Sequence, residues 1–400
     1  VEVPSLAVET IIETLSAVQD PELGVSIVEL GMVDRESISC SPGGHIQIKV
    51  ALTIAGCPLR SRIENEIKAA VGRLPGVASV DVDTSNPMDS KRRRAAVERA
   101  RLERARSRTP SSRVAPSTRV IAVASGKGGV GKSSVSAALA VAMACRGLSV
   151  GLLDADIWGF SIPRLLHMTE GLVPEGTREA WTIRPSECRV GSGLLRVVSM
   201  GMLAANEDEA IMWRGMMLAR ALQHFAEDVS WGELHYLLVD MPPGTGDVHM
   251  GLSRWLPQSE VLIITTPPRG AAQVAARAAD MARKGFHRVI GVVENMSGFV
   301  CRHGERYTLF GEGGGQILAD RLGVPLLAKL PLDPELSQGP FPSTRLEEGL
   351  QAGPFGKAVV ELAERMITEV VPPLDLNTCS AHQLATTEGI QRDTTEGVRM

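Results

Sequence analysis

The sequence predicts an α/β protein in which a mostly parallel sheet is covered by helices on both faces, preceded by a small α+β domain. Three observations predict it. From residue 119 to about 371, short runs of Val, Ile and Leu alternate with longer helical stretches. Those runs are apolar at every position rather than every second one, as strands buried on both faces must be. Residues 1–88 are patterned differently, with an alternating strand between two amphipathic helices. At 400 residues the chain has room for two such domains and their connections.

Composition narrows the function classes. A hydrophobic fraction of 44% is enough to bury sizeable cores. Forty-two basic against 46 acidic residues give a net charge of −4, which argues against a uniformly basic protein that coats nucleic acid. The six cysteines (Cys40, Cys57, Cys145, Cys188, Cys301, Cys379) show no framework spacing, a pattern that suits a reducing cytosol. No apolar run is long enough to span a bilayer. The acidic start "VEVPSLAVETIIETL" has neither the basic region of a signal peptide nor the Arg-rich look of a transit peptide. A first residue of Val leaves open the removal of a leader, and the expected compartment is the cytoplasm.

Taken in order, Leu6, Ile11, Ile12, Leu15 and Val18 recur at helical spacing until "DPELG" (20–24) breaks the pattern. "HIQIKVALTI" (45–54) alternates as a half-buried strand, with Ile46, Ile48, Val50, Leu52 and Ile54 on one face. "LRSRIENEIKAAVGRL" (59–74) reads as a second amphipathic helix, and "VASVDVDT" (77–84) as the last strand of the small domain. Residues 89–118 are Arg-rich and end in Ser, Pro and Thr. They read as a solvated helix plus flexible linker in preference to a nucleic-acid arm, because charge runs are usually solvated. Strands follow at 119–125, 149–156, 236–243, 260–268 and 288–296, with helices at 133–147 and 271–285 among them. A helix at 357–371 closes the domain, and residues 372–400, rich in Thr, Ser, Gln and Glu, read as a disordered tail.

The chemistry is concentrated in "SGKGGVGKSS" (125–134), which follows a strand and opens a helix. Gly126, Lys127, Gly128, Gly129, Val130, Gly131, Lys132 and Ser133 match G-x-x-x-x-G-K-[ST], the phosphate loop. Its glycines let successive backbone N–H groups wrap phosphates, and the helix that follows from Ser133 and Ser134 adds its positive end. Lys132 is expected to reach the β- and γ-phosphate oxygens, and the Ser133 hydroxyl to complete a Mg²⁺ shell. Lys127 is an extra cation. The wrapped backbone fills the side toward its own phosphates, so it projects outward, as suits a group aimed at a second copy's nucleotide. Two apolar strands then end in carboxylates, Asp154 and Asp156 in "LLDAD" and Asp240 in "LLVDMPPGTGD". Strand carboxyl ends are where open α/β sheets bind ligands. Gly244 and Gly246 give a turn that could sense a γ-phosphate. The chain lacks the N-K-x-D motif that reads guanine, which points to ATP.

The early lysine resembles the signature of the deviant-Walker P-loop ATPases, the MinD, ParA and nitrogenase iron-protein class. That resemblance implies catalytic roles for Lys127, Lys132 and Asp156, the last polarising the attacking water. It also implies that Asp154 lies near the metal, that Asp240 holds Mg²⁺ through water, and that Asn295 contacts adenine. Within the class, "DADIWGFSIPRLL", "MWRGMMLARALQHF" (212–225), "GVVENMSGF" and "LPLDPEL" (330–336) resemble the Mrp/ApbC-type iron–sulfur cluster carrier ATPases. "QDPELGVSIVELGMV" and "LTIAGCPLRSRIENEI" are similar to the iron–sulfur-assembly domain often fused ahead of them, and the stretch from Glu170 to Gly201 looks like actinobacterial members. The resemblance implies slow, switch-like ATP hydrolysis. It also implies a homodimer that carries a [4Fe–4S] cluster from iron–sulfur scaffolds to target apoproteins. The acidic Glu361, Glu364 and Glu369 of the last helix argue against a membrane partner, and the acidic net charge against a nucleic-acid one.

The cluster in that family is held by a C-x-x-C pair from each subunit just after the "ENMSGF" segment. This chain reads Cys301-Arg302-His303-Gly304 there, so glycine stands in place of the second cysteine. Cys301 and Cys57 are the candidate iron–sulfur ligands. Cys57, in "AGCPL" at the apparent start of a helix, is either a thiolate favoured by the helix end or a small core cysteine. His303 is either a substitute ligand or a solvated loop residue. Two other functions stay open, a cargo-positioning ATPase of the MinD/ParA kind and a nucleotide-gated scaffold without a stable cluster.

Overall fold

The computed structural model describes residues 7–20, 25–41, 43–52, 60–85, 88–89, 92, 95–98, 100, 112–156, 161–168, 172–177, 180–199, 202, 222–244, 247–301, 303, 305–334, 341, 346–351 and 353–374. Cys57, Arg302, Gly304 and Gly246 lie outside them, as do most of the segment 212–225 and residues 375–400.

The small domain forms around a three-stranded sheet of β1 (Ile38–Cys40), β2 (His45–Lys49) and β3 (Ser79–Asp83), with β2 in the middle. β1 runs antiparallel to β2 and β3 parallel to it. Helix Val8–Leu15 buries Ile11 and Leu15, and helix Arg60–Val71 buries Ile63, Ile67 and Val71, each set on one helical face. These side chains meet Ile46 and Ile48 of β2 in one core. The ladder ends at Lys49, earlier than the alternation suggests, though Val50 and Leu52 stay buried. Part of the expected linker departs from that reading. Residues 95–98 are helical, and Ala96 and Ala100 are fully buried against the same core. In an Arg-rich run the alanines are the only side chains small enough to make a close apolar seam. Arg92 Nη2 adds a hydrogen bond to the Gly31 carbonyl at 3.0 Å.

The large domain is built on eight strands: β4 (Arg119–Ser125), β5 (Ser149–Asp154), β8 (Ser186–Val190), β9 (Gly193–Ser199), β10 (Tyr236–Asp240), β11 (Glu260–Thr265), β12 (Val289–Glu294) and β15 (Leu326–Lys329). They form one sheet in the order β15-β12-β11-β4-β10-β5-β9-β8. All neighbours are parallel except β8, which returns antiparallel beside β9. β6 (Val173–Thr177) and β7 (Ala180–Arg184) form a separate hairpin, as do β13 (Phe299–Val300) and β14 (Arg306–Tyr307). The five predicted strands are all present. β8, β9 and β15 were not foreseen, because β8 and β15 close the sheet's edges, β8 alternates half-buried with exposed residues and the first half of β9 alternates buried with half-buried ones.

Two apolar layers cover the sheet, and strand residues divide between them by parity. Val120, Ala122 and Ala124 of β4 face a layer that includes helix Arg269–Lys284, Trp231 and Trp255. Ile121 and Val123 face helix Lys132–Cys145 and helix Pro354–Arg365. The domain's two ends meet at one rim. Arg119 Nε, at the start of β4, donates to the Pro372 carbonyl at 2.9 Å, and Tyr236 Oη donates to the Val371 carbonyl at 2.5 Å. The opposite rim, at the carboxyl ends of the parallel strands, carries the phosphate loop and the aspartates.

Candidate nucleotide site and thiol hairpin

β4 runs out at Ser125 into the phosphate loop, and helix Lys132–Cys145 starts directly after it. Gly131 has φ 75°, and a Cβ there would lie 2.3 Å from Asn295 Nδ2. Gly126 has no room either, since its Cβ would lie 2.3 Å from the Val274 backbone. Gly131 is therefore demanded by both backbone conformation and close approach, and Gly126 by close approach alone. The loop borders a cavity of ≈ 420 Å³ lined by Ser125, Lys127 to Ser134, Asp156, Ser161 and Pro243. That size lies within the usual range for small-molecule sites.

Because β10 is inserted between β4 and β5, Asp240 is placed in register with both Val123 and Asp154. Asp240 is fully buried and collects three donors. Lys132 Nζ reaches its Oδ1 at 2.6 Å, Ser136 Oγ the same oxygen at 2.9 Å, and Ser133 Oγ its Oδ2 at 2.6 Å. Asp154, also fully buried, accepts from Ser199 Oγ at 3.0 Å and from the Asp156 backbone N–H at 3.2 Å. Burial pushes the Asp154 carboxyl up to about 7, and the neighbouring charge of Asp240 adds to the rise. Two buried carboxylates thus share the field of Lys132. Together with the Ser133 hydroxyl they form an all-oxygen donor set beside a phosphate cradle, which fits Mg²⁺.

The sequence-predicted residues of this site come together, with differences in role. Asp156 lines the cavity, whereas Asp154 and Asp240 sit behind it. Lys127 is exposed and also lines its own chain's cavity, while the Lys132 side chain is turned onto Asp240. Asn295, at the end of β12, donates from Nδ2 to the Val130 carbonyl at 2.9 Å, so it grips the phosphate loop itself. Ser136 and Ser199 went unforeseen. One lies in an Ala-rich helix just past the motif's own serines and the other closes an apolar strand, and only the three-dimensional register shows what they touch.

The chain continues from Asn295 through Met296, whose φ of 56° is rare for a side chain of its kind, into the β13–β14 hairpin. Cys301 stands in the hairpin, half-buried, with its N–H bonded to the Glu305 carbonyl at 2.9 Å. His303 is exposed, and so are Val300, Tyr307, Leu309 and Phe310 around the turn. Among the described residues no group of three or more His, Cys, Asp or Glu side chains is placed to hold a metal ion. The thiols of Cys145 and Cys188 are pushed up by burial, Cys188 to about 11, which leaves them poor ligands beside Cys301.

Strand, glycine loop, lysine-headed helix and strand-end carboxylates on a parallel sheet define a P-loop NTPase. Comparison with known proteins makes the class specific. The family described as NUBPL iron-transfer P-loop NTPase matches residues 117–367, and the iron-sulfur cluster assembly protein family matches residues 8–82. The chain belongs to the first of these families and carries the second ahead of it. A Mycobacterium leprae protein named Iron-sulfur cluster carrier protein is 41% identical over 356 residues, covering 88% of this chain and 90% of its own, in line with the resemblance to actinobacterial members. A Synechocystis protein of the same name is 35% identical over 91% of this chain and 98% of its own. A nucleotide-binding protein from Archaeoglobus fulgidus, solved with ADP, shares 33% identity over 62% of this chain and 91% of its own, with a TM-score of 0.47. Among the described residues no helix is long and apolar enough to cross a membrane.

Proposed function

We propose that the chain is an ATP-dependent carrier of iron–sulfur clusters that works as a homodimer in the cytoplasm, taking clusters from scaffolds and passing them to target apoproteins. One observation carries the reading. The side chain that grips the phosphate loop, Asn295, stands on the strand end that runs directly into the Cys301 hairpin, so nucleotide and cargo are handled by one continuous piece of chain.

Phosphates wrap into the loop at Gly126–Ser134, and Lys132 leaves Asp240 to meet the β- and γ-oxygens. Ser133, Asp240 and Asp154 would hold Mg²⁺, which would neutralise phosphate charge when bound. Asp156 orients the attacking water from the cavity wall. Lys127 points outward to complete the site of a second copy. Hydrolysis is slow, because a carrier needs a long-lived bound state to gate loading and release. A [4Fe–4S] cluster is the cargo. One chain offers only Cys301 at the hairpin, so the second copy supplies another thiol, and Cys57 or His303 completes the ligand set.

Anaerobic reconstitution with iron and sulfide tests this on wild type, Cys301→Ala and Cys57→Ala, read by absorbance and iron content. The wild type should load a cluster and Cys301→Ala should not. A wild type that turns over ATP yet binds no cluster would overturn the carrier reading.

A further inference from the structure

Asp156 is held through a residue that no motif of the chain includes. We propose that Ser199 is a positioning residue for ATP hydrolysis, acting through Asp154 on Asp156. The inference rests on the proposed function, in which Asp156 orients the attacking water.

Ser199 closes β9, directly in register with Asp154 on β5. Its Oγ donates to Asp154 Oδ2 at 3.0 Å, and the other oxygen, Oδ1, receives the Asp156 backbone N–H at 3.2 Å. The carboxylate is thus a bridge with one foot on a sheet strand and the other on the chain segment that bears Asp156. All three residues are buried, at 0, 0 and 9% exposure in the order Ser199, Asp154 and Asp156. The contrast with Asp240 shows why a hydroxyl matters here. Asp240 is oriented by a lysine and two serines, so losing one donor leaves two. Asp154 is oriented by one side-chain hydroxyl and one backbone N–H, and Ser199 supplies the hydroxyl that fixes the plane of the carboxyl group. Without that bond the carboxyl can rotate against the charge of Asp240, and the backbone of Asp156 rotates with it. An orienting group misplaced by about 1 Å can cost on the order of 10² in rate while leaving binding intact. Ser199 does not line the cavity, and this bridge is a route from it to Asp156.

The experiment compares Ser199→Ala, Ser199→Thr and Ser199→Cys in the full chain, with Mg·ATP turnover, the Kd of ADP without Mg²⁺ and Tm measured on each. Threonine keeps the hydroxyl, while cysteine keeps the volume with a poor donor. The expected result is a fall in kcat of about 10- to 100-fold for Ala and Cys, the scale seen when outer partners of a site are removed. The Kd should stay within about twofold. Threonine should restore most of kcat. Unchanged kcat in Ala and Cys overturns the proposal. So does a loss in which kcat, nucleotide affinity and Tm fall together and Thr fails to rescue, because that is the signature of a merely structural serine. Lack of turnover in the wild type would instead defeat the ATPase reading on which the proposal rests.

Discussion

The phosphate-loop rim and the Cys301 hairpin are joined by a few residues, yet they are built on opposite principles. At the rim, the buried carboxylates have their partners inside the chain. Lys132, Ser133 and Ser136 satisfy Asp240, while Ser199 and the Asp156 N–H satisfy Asp154. The hairpin offers one half-buried thiol, an exposed histidine and a ring of exposed apolar side chains. The difference teaches that a nucleotide site can be finished within one fold, because backbone amides and buried carboxylates do the binding. A cluster site needs several thiolates that a single short hairpin cannot supply. Under the proposed function, the first is a property of the chain and the second would be one of an assembly.

Breaking the finished site should have the largest effect. Lys132→Ala removes the cation that meets the phosphates and leaves Asp240 buried without its ion-pair partner. Turnover should fall by about 10³-fold, and a thermal or denaturant melt should show a loss of roughly 3–5 kcal/mol, as when one partner of a buried pair is deleted. If stability holds, Asp240 is better served by its serines than the geometry indicates.

Lys127→Ala tests whether the rim is finished only for binding and still borrows one group for chemistry. Its side chain is exposed. Stability should change by less than about 0.5 kcal/mol, while turnover should drop by roughly 10²-fold. The wild-type rate per chain should rise with protein concentration, and the variant's should not. Equal rates in variant and wild type would return Lys127 to the ordinary solvated surface.

The hairpin should respond the other way round. Cys301→Ser is expected to abolish the reconstituted cluster, read as iron per chain, with basal turnover unchanged within about twofold since no rim hydrogen bond is lost. A large fall in turnover would mean that the two regions are one site rather than two.

The last expected effect is a slope. Asp154 titrates near 7 in the fold against 3.8 for an ordinary aspartate, so between those values the folded protein holds a proton that the unfolded chain has released. Its contribution is fully present below about pH 4 and is lost as pH rises toward 7, by at most about 1.4 kcal/mol per pH unit. In nucleotide-free protein, melts of wild type and Asp154→Asn should therefore converge in slope above pH 7 and differ between pH 4 and 7. Parallel curves throughout would place Asp154 with the ionised carboxylates.

Much of the rim was legible in the sequence, because its parts obey backbone rules. A glycine loop between a strand and a helix can be read from residue types, as can carboxylates at the ends of apolar runs. Ser136 and Ser199 could not be read so. A hydroxyl outside the motif has no spacing to mark it, and its partner lies on a strand that is not adjacent in sequence. Edge strands such as β8 escaped for a related reason, since half-exposed alternation carries less apolar signal than a central run. Ala96 and Ala100 were hidden by the arginines around them, which dominate composition but not packing. At the hairpin, the missing second cysteine was plain from Gly304, while the proposed ligand set needs groups that the hairpin's own sequence does not contain.

The bond from Arg119 to the Pro372 carbonyl fastens the first strand of the ATPase domain to its last segment. Both covalent attachments of that domain are therefore moored at one rim, and the nucleotide lies at the other. β4, seven residues long, separates them by about 20 Å of strand rise. The connecting helix is held there too, since Glu98 pairs with Arg119 at 2.8 Å while Ala96 and Ala100 pack on the small domain's core. The small domain is thus anchored at the rim far from the phosphate loop, and any exchange between it and Cys301 has the length of β4 to cross.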